Sequence, residues 1–189
     1  MRFGVKNIIL MFSCLLLASC GFHLQGPTIL APRLHSLYLQ SNDPYGVLSQ
    51  QLKQSLSYSK VKLADNAAAA DTTLTILSDN QDQQLLSVSG TQQTRQYRLI
   101  VTVVFELSDQ KGQTILSPQV LTESRILTMQ SSQILASSNE SNLLYQQMRR
   151  ALATTIMYRL ASQEVTDLLS AKQVTDKVIR VKHKHKPHS

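Results

Sequence analysis

From residue 97 to residue 107 every odd position carries a large apolar side chain: Tyr97, Leu99, Val101, Val103, Phe105 and Leu107. The even positions Gln96, Arg98, Ile100, Thr102, Val104 and Glu106 are mixed. A period of two is the geometry of a strand, and it puts one face in a core and turns the other elsewhere. The strand predicted here spans residues 93–107. Asp109-Gln110-Lys111-Gly112 is turn chemistry, and a second strand is expected over residues 114–129, with Pro118 at an edge or a bulge. A hairpin centred between Gln110 and Lys111 pairs Phe105 with Leu116, Val101 with Val120 and Tyr97 with Ser124 on the core side. On the other side it pairs Glu106 with Ile115, Arg98 with Glu123 and Gln96 with Arg125, and a bulge at Pro118 shifts what lies beyond it.

The remaining elements fall around this hairpin. Leu37-Tyr38-Leu39 is a short strand. Asp43 and Pro44 have the chemistry of an N-cap and a first helical residue, and Leu48, Leu52 and Leu56 then form one stripe of a helix reaching Tyr58. Residues 67–70 are a small-residue connector, either helical or loop. Residues 72–78 read as a strand that continues towards Gln84. Ser137 and Glu140 form a capping-box pair ahead of Leu144, Met148, Leu152, Ile156 and Leu160, an amphipathic helix to residue 162. Val165, Leu168 and Leu169 add one further short helical piece. The order is strand, helix, strand, strand, strand, helix.

The amino-terminal end reads as an address. Arg2 and Lys6 precede an apolar run of about 10 residues, shorter than the ~20 of a spanning helix, and small residues lead to Cys20. Leu17-Ala18-Ser19-Cys20 resembles a bacterial lipobox, so residues 1–19 are expected to be a signal peptide and Cys20 the acylated first residue of the mature chain. Cys14 leaves with the signal peptide, and no thiol remains for a disulfide. In lipoprotein sorting an Asp after the cysteine retains the protein in the inner membrane, so Gly21 directs this one to the outer membrane. Residues 20–36 read as a tether stiffened by Pro27 and Pro32, residues 37–171 as a single domain, and residues 172–189 as a disordered basic tail. The net charge of +7 is an end effect, because residues 20–171 hold 11 basic and 11 acidic residues. Without a basic body, nucleic-acid binding is not indicated.

Several stretches together resemble the LPS-assembly lipoprotein LptE (RlpB) family. They are Cys20-Gly21-Phe22-His23-Leu24-Gln25-Gly26; Asp43-Pro44-Tyr45-Gly46 with the leucine stripe behind it; Glu106-Leu107-Ser108-Asp109 with Gly112; and Leu144-Tyr145-Gln146-Gln147-Met148-Arg149-Arg150 with Arg159-Leu160. The resemblance covers residues 20–163. It implies an α+β two-layer sandwich in which two helices pack on one face of a four-stranded, mostly antiparallel sheet. It also implies a non-enzymatic role inside an LptD-type outer-membrane β-barrel, helping the barrel assemble and lipopolysaccharide reach the cell surface. This chain departs from the family at Gln25, where related sequences often carry a basic residue, and in the weakly charged loops around residues 87–94 and 130–138.

Arg98 and Arg125, interleaved with Ile100, Val104, Ile115 and Leu121, are candidates to meet lipopolysaccharide phosphates, with Arg95 a third. The plainer alternative pairs Arg98 and Arg125 with Glu123 on a solvated sheet. His183, His185 and His188 are metal-ligand types with neither carboxylate nor thiolate among them, and a solvated tail that touches anionic headgroups is the simpler reading. The Ser-rich stretches lack a nucleophile elbow, and no catalytic residue, metal or cofactor is expected. The alternative to a barrel plug is a pilotin-like or chaperone lipoprotein for another outer-membrane complex, or a free periplasmic binding module.

Overall fold

In the computed structural model residues 30–91, 94–130 and 134–172 are described, with the backbone alone for 134–137. The elements are β1 (Ser36–Ser41), α1 (Val47–Tyr58), β2 (Lys62–Leu63), β3 (Thr72–Val88), β4 (Thr94–Asp109), β5 (Thr114–Gln130) and α2 (Ile134–Leu160). A further helix, α3, spans residues 163–172. The sheet runs β2-β1-β3-β4-β5; β1 is parallel to both its neighbours, and β3, β4 and β5 form an antiparallel meander. This is the expected α+β sandwich with one strand more than expected. Two residues of β2 are too short to show a period, and they pair only because β1 offers Ser36 and Leu37 as partners.

One core lies between the helices and the odd-numbered face of β4. Leu99, Val101, Val103, Phe105 and Leu107 are fully buried there, against Leu52 and Leu56 of α1 and Met148, Ile156 and Leu160 of α2. Val165 and Leu169 of α3 complete it. The expected stripes of both helices are thus buried, save Leu144 of α2, which is partly so. The core also takes in Leu30, Ala31 and Leu34, so the folded body begins ahead of residue 37, the expected edge of the domain. At the other end Lys172, expected in the tail, is bonded into the domain.

Helix starts differ from expectation. The α1 helix begins at Val47, not at Pro44, with Gly46 as a cap that has no side-chain bond. Residues 43–46 form a turn instead, closed by Gly46 N–H to Asp43 O (3.3 Å) and by the Ser49 hydroxyl donating to Asp43 O at 2.6 Å. The Asp43 carboxylate lies where a Cβ on residue 46 would stand, so glycine suits that position. The α2 helix starts at Ile134, ahead of the expected cap at Ser137. A capping box is a local preference, and residues 134–136 (Ile, Leu, Ala) include two good helix formers that extend the helix through it.

The hairpin register is corrected in three steps. Gly112 adopts φ +74°, and Asp109 N–H bonds Gln113 O, so Ser108 pairs with Thr114 rather than with Gln113. Irregularities then occur between Ser108 and Leu107 and between Leu107 and Phe105, leaving Phe105 opposite Gln119. Three extra residues on β5 are an odd number, so beyond Pro118 the two faces are exchanged. Leu121, Glu123, Arg125 and Leu127 share the side of the buried β4 residues, while Val120, Thr122, Ser124 and Ile126 point to the other side. The bulge foreseen at Pro118 is real, and the turn and Ile115 add the other two steps.

Candidate functional site

No helix among the described residues covers the even-numbered face of the sheet. It carries Gln96, Arg98, Ile100, Thr102, Val104 and Glu106 of β4 beside the even residues of β5. Val120 is 65% exposed and Ile126 64%. Thr102 and Thr122 sit hydroxyl to hydroxyl at 3.2 Å across the strands. The face is a mixture of β-branched methyls, hydroxyls and few charges.

The structure brings Arg98 and Arg125 together, although not as the sequence register placed them. Arg98 is on the open face opposite Ile126, whereas Arg125 is opposite the buried Leu99. Because β5 is the last strand of the sheet, the Arg125 guanidinium reaches its rim, where Nη2 meets Glu123 at 2.7 Å and Nη1 donates to Ser124 O at 3.1 Å. Arg98, Ile100, Thr122, Ser124, Arg125 and Ile126 together line a shallow depression of about 420 Å³. The expected Arg98–Glu123 pairing is not formed; Arg125 takes Glu123, as the solvated-sheet alternative holds for that residue. Arg98 has no ion pair among the described residues.

Arg95 lies elsewhere, in a cleft of about 760 Å³ between the far ends of β3–β5 and the first half of α2. Tyr97, Met129 and Tyr145 give this cleft apolar and aromatic walls, and Gln81, Gln83, Gln130 and Asn142 give it amides. The Tyr145 hydroxyl donates to Asp82 O at 3.0 Å. Burial, reinforced by the nearby Asp82 carboxylate, raises the pKa of that phenol, and it stays protonated as the donor. One turn on, Arg149 Nε donates to both carboxylate oxygens of Asp79 (3.0 and 2.9 Å) and Nη1 to Gln81 Oε1 at 3.1 Å. These bonds tie α2 to the extension of β3 across some 70 residues of chain. Sequence reading passed over them, and its only trace was Tyr145 and Arg149 one helical turn apart.

Cys20, His183, His185 and His188 lie outside the described residues. Among the described residues no three His, Cys, Asp or Glu side chains gather as metal ligands, and no helix is long and apolar enough to cross a membrane.

The helix-backed, five-stranded α+β fold is shared with lipoproteins of other bacteria. Rare lipoprotein B from Shewanella oneidensis superposes with a TM-score of 0.60 at 29% identity, covering 68% of this chain and 96% of that one. A lipoprotein B from Nitrosomonas europaea has the same fold, with a TM-score of 0.61 at 22% identity over 89% of this chain and 99% of that one. In sequence the chain is 30% identical over 176 residues to the LPS-assembly lipoprotein LptE of Pectobacterium atrosepticum, covering 90% of this chain and 95% of its relative. The LptE lipopolysaccharide-assembly family model matches residues 34–160. The chain belongs to the LptE family of lipopolysaccharide assembly, which is not a family of enzymes.

Proposed function

We propose that the chain is an outer-membrane lipoprotein, anchored through acylated Cys20, that seats in an LptD-type β-barrel, helps it assemble and assists delivery of lipopolysaccharide to the outer leaflet. Membership of a lipopolysaccharide-assembly family carries this reading. The sheet face that no helix among the described residues covers supports it. A surface of hydroxyls, methyls and few charges on a body with 11 residues of each sign suits enclosure by the polar lumen of a barrel better than capture of a highly charged partner. Anchoring needs two or more acyl chains, since one gives only marginal binding. In this reading Arg98 and Arg125 offer guanidinium groups to phosphate beside Ile100 and Ile126, and Arg95 does so from the amide-lined cleft.

The decisive experiment is extraction of the tagged full chain from membranes in mild detergent, followed by identification of what comes with it. Co-purification of a large outer-membrane barrel is expected, and Cys20→Ser should release the chain from the membrane fraction. A lone, lipopolysaccharide-free protein would favour the pilotin or free-module alternative. Replacing Arg98 and Arg125 together with Glu should lower the lipopolysaccharide recovered without lowering the melting temperature. Unchanged recovery would remove both residues from the contact, and the same comparison for Arg95→Glu would test the cleft.

A further inference from the structure

The seam between α2 and β3 decides which way an amide of the neighbouring cleft points. Gln81 lines that cleft, and its Oε1 accepts from Arg149 Nη1 at 3.1 Å. A guanidinium carries N–H donors and no acceptor, so only the oxygen of the Gln81 amide can face it. The flip of the amide is thereby fixed. Its oxygen is engaged, and its Nε2 has no hydrogen-bond partner among the described residues. Gln81 stands opposite Val101, on the side of the sheet that faces α2, and it is exposed. What it offers a ligand in the cleft is a donor.

The charges around Gln81 are arranged in the same sense. Arg149 Nε holds both carboxylate oxygens of Asp79, so that charge is neutralised beside the cleft. Asp82, the one carboxylate among the described residues lining the cleft, is opposite Ile100 on the other face and accepts from Gln84 Nε2 at 3.3 Å. Its main-chain oxygen already accepts from the Tyr145 hydroxyl. Arg95 is left as the cation of the cleft, with no ion pair among the described residues. A guanidinium without a counter-charge, a fixed amide donor and carboxylates engaged elsewhere suit a group that accepts hydrogen bonds and carries negative charge. A phosphate ester is such a group, and hydrogen bonds to an ionised acceptor are about twice as strong as neutral ones. A sugar hydroxyl accepts the same bond more weakly and must also place its own proton.

We propose that Gln81 is a specificity-determining residue of this cleft. Turned by Arg149, its Nε2 donates to a phosphate ester of the bound glycolipid, and the chain prefers lipopolysaccharide that carries phosphate to the same molecule without it. The proposal rests on the reading that the cleft receives lipopolysaccharide beside Arg95. Arg149 acts through Gln81 and is a positioning residue.

The test measures binding of lipopolysaccharide, and of lipopolysaccharide treated with phosphatase, to the full chain purified in mild detergent. Gln81→Glu keeps an acceptor for Arg149 and loses the donor. Gln81→Met keeps the length of the side chain and loses the donor without adding charge. The unsubstituted chain should bind the phosphorylated form about tenfold more tightly than the treated one. Gln81→Met should lower that ratio about fivefold and Gln81→Glu should abolish it, with melting temperatures unchanged. A purely structural role predicts no loss in Gln81→Glu, since a second carboxylate strengthens the hold on Arg149. Arg149→Lys keeps a charge for Asp79 without the planar fork. It should lower the ratio about threefold in the unsubstituted chain and leave it alone in the Gln81→Met chain. An unchanged ratio in Gln81→Met would overturn the proposal, and an unchanged ratio in Arg149→Lys would overturn the positioning role. Displacement of lipopolysaccharide by millimolar inorganic phosphate would assign the cleft to the free ion and also overturn the proposal. Arg95→Glu separates this inference from the reading beneath it. If Arg95→Glu weakens binding and Gln81→Met does not, only the role of Gln81 falls; if neither does, the cleft is not the lipopolysaccharide site and both fall.

Discussion

Burial raises the pKa of the Asp109 carboxyl, but the Gln113 N–H, the Lys172 ammonium and the Lys111 N–H outweigh it and hold the group below the ordinary aspartate range. Its Oδ1 accepts from Lys111 N and Gln113 N at 2.9 and 2.8 Å, and its carboxylate meets Lys172 at 3.1 Å with side chains only 6% and 17% exposed. The carboxylate therefore both shapes the β4–β5 turn and clasps the end of α3 to it. A depressed folded-state pKa contributes stability that is complete above the unfolded value of about 4 and is lost as pH falls through the folded one. Asp109→Asn should cost about 1–3 kcal/mol near neutrality. The variant should also lose less than the parent between pH 5 and pH 2, as urea midpoints across that range will show. Phe105, fully buried on β4, is the corresponding apolar test. Phe105→Ala should remove about 3–5 kcal/mol by transfer loss and cavity together, measured by the same denaturation.

At the scale of elements, the far half of β3 is the part with least support. Beyond Ile76 it has left β1 behind, and its side chains are largely exposed to Val88. What holds it to α2 is Arg149 on Asp79 and Gln81 and Tyr145 on Asp82. Arg149→Ala should speed amide exchange across residues 79–88 by about tenfold, leaving β1 and α1 protected. Equal protection there would show that the strands alone hold the extension. The β5 strand makes a different prediction, since its phase depends on a count of residues. Removing one residue among 115–118 would turn Leu121 and Leu127 away from the helices, whereas removing two would restore the phase. The single deletion should therefore be the more damaging to melting temperature. Odd-position burial in β4 and the helix stripes could be read from the sequence because each is periodic. The strand β2, the length of β3 and two of the three extra residues of β5 could not, since each is set by pairing with another strand rather than by a local pattern.

For the molecule as a whole, charge is divided between a neutral body and a basic end. Residues 173–189 carry five basic side chains and one acidic one. Deleting them while keeping Lys172 should leave the melting temperature unchanged and weaken binding to phosphatidylglycerol vesicles, by up to about 1 kcal/mol for each basic residue near the surface. Vesicle sedimentation at two salt concentrations will measure this. The candidate site was legible only in part. Arginines among apolar residues on a strand were visible, and two of the three do share a depression, but the face that Arg125 occupies depends on three extra residues in β5, of which only the one at Pro118 has a local signal. The clasp between α2 and β3 likewise arises only on folding. The sheet order carries a kinetic consequence. The first strand, β1, lies between β2 and β3, both of which follow it in the chain. Contacts so distant in sequence form slowly. On a chain that emerges amino-terminus first, residues 36–41 appear before either neighbour has been released. The first strand out has neither neighbour when it appears, and until residue 76 has emerged it needs shelter from whatever else would pair with it.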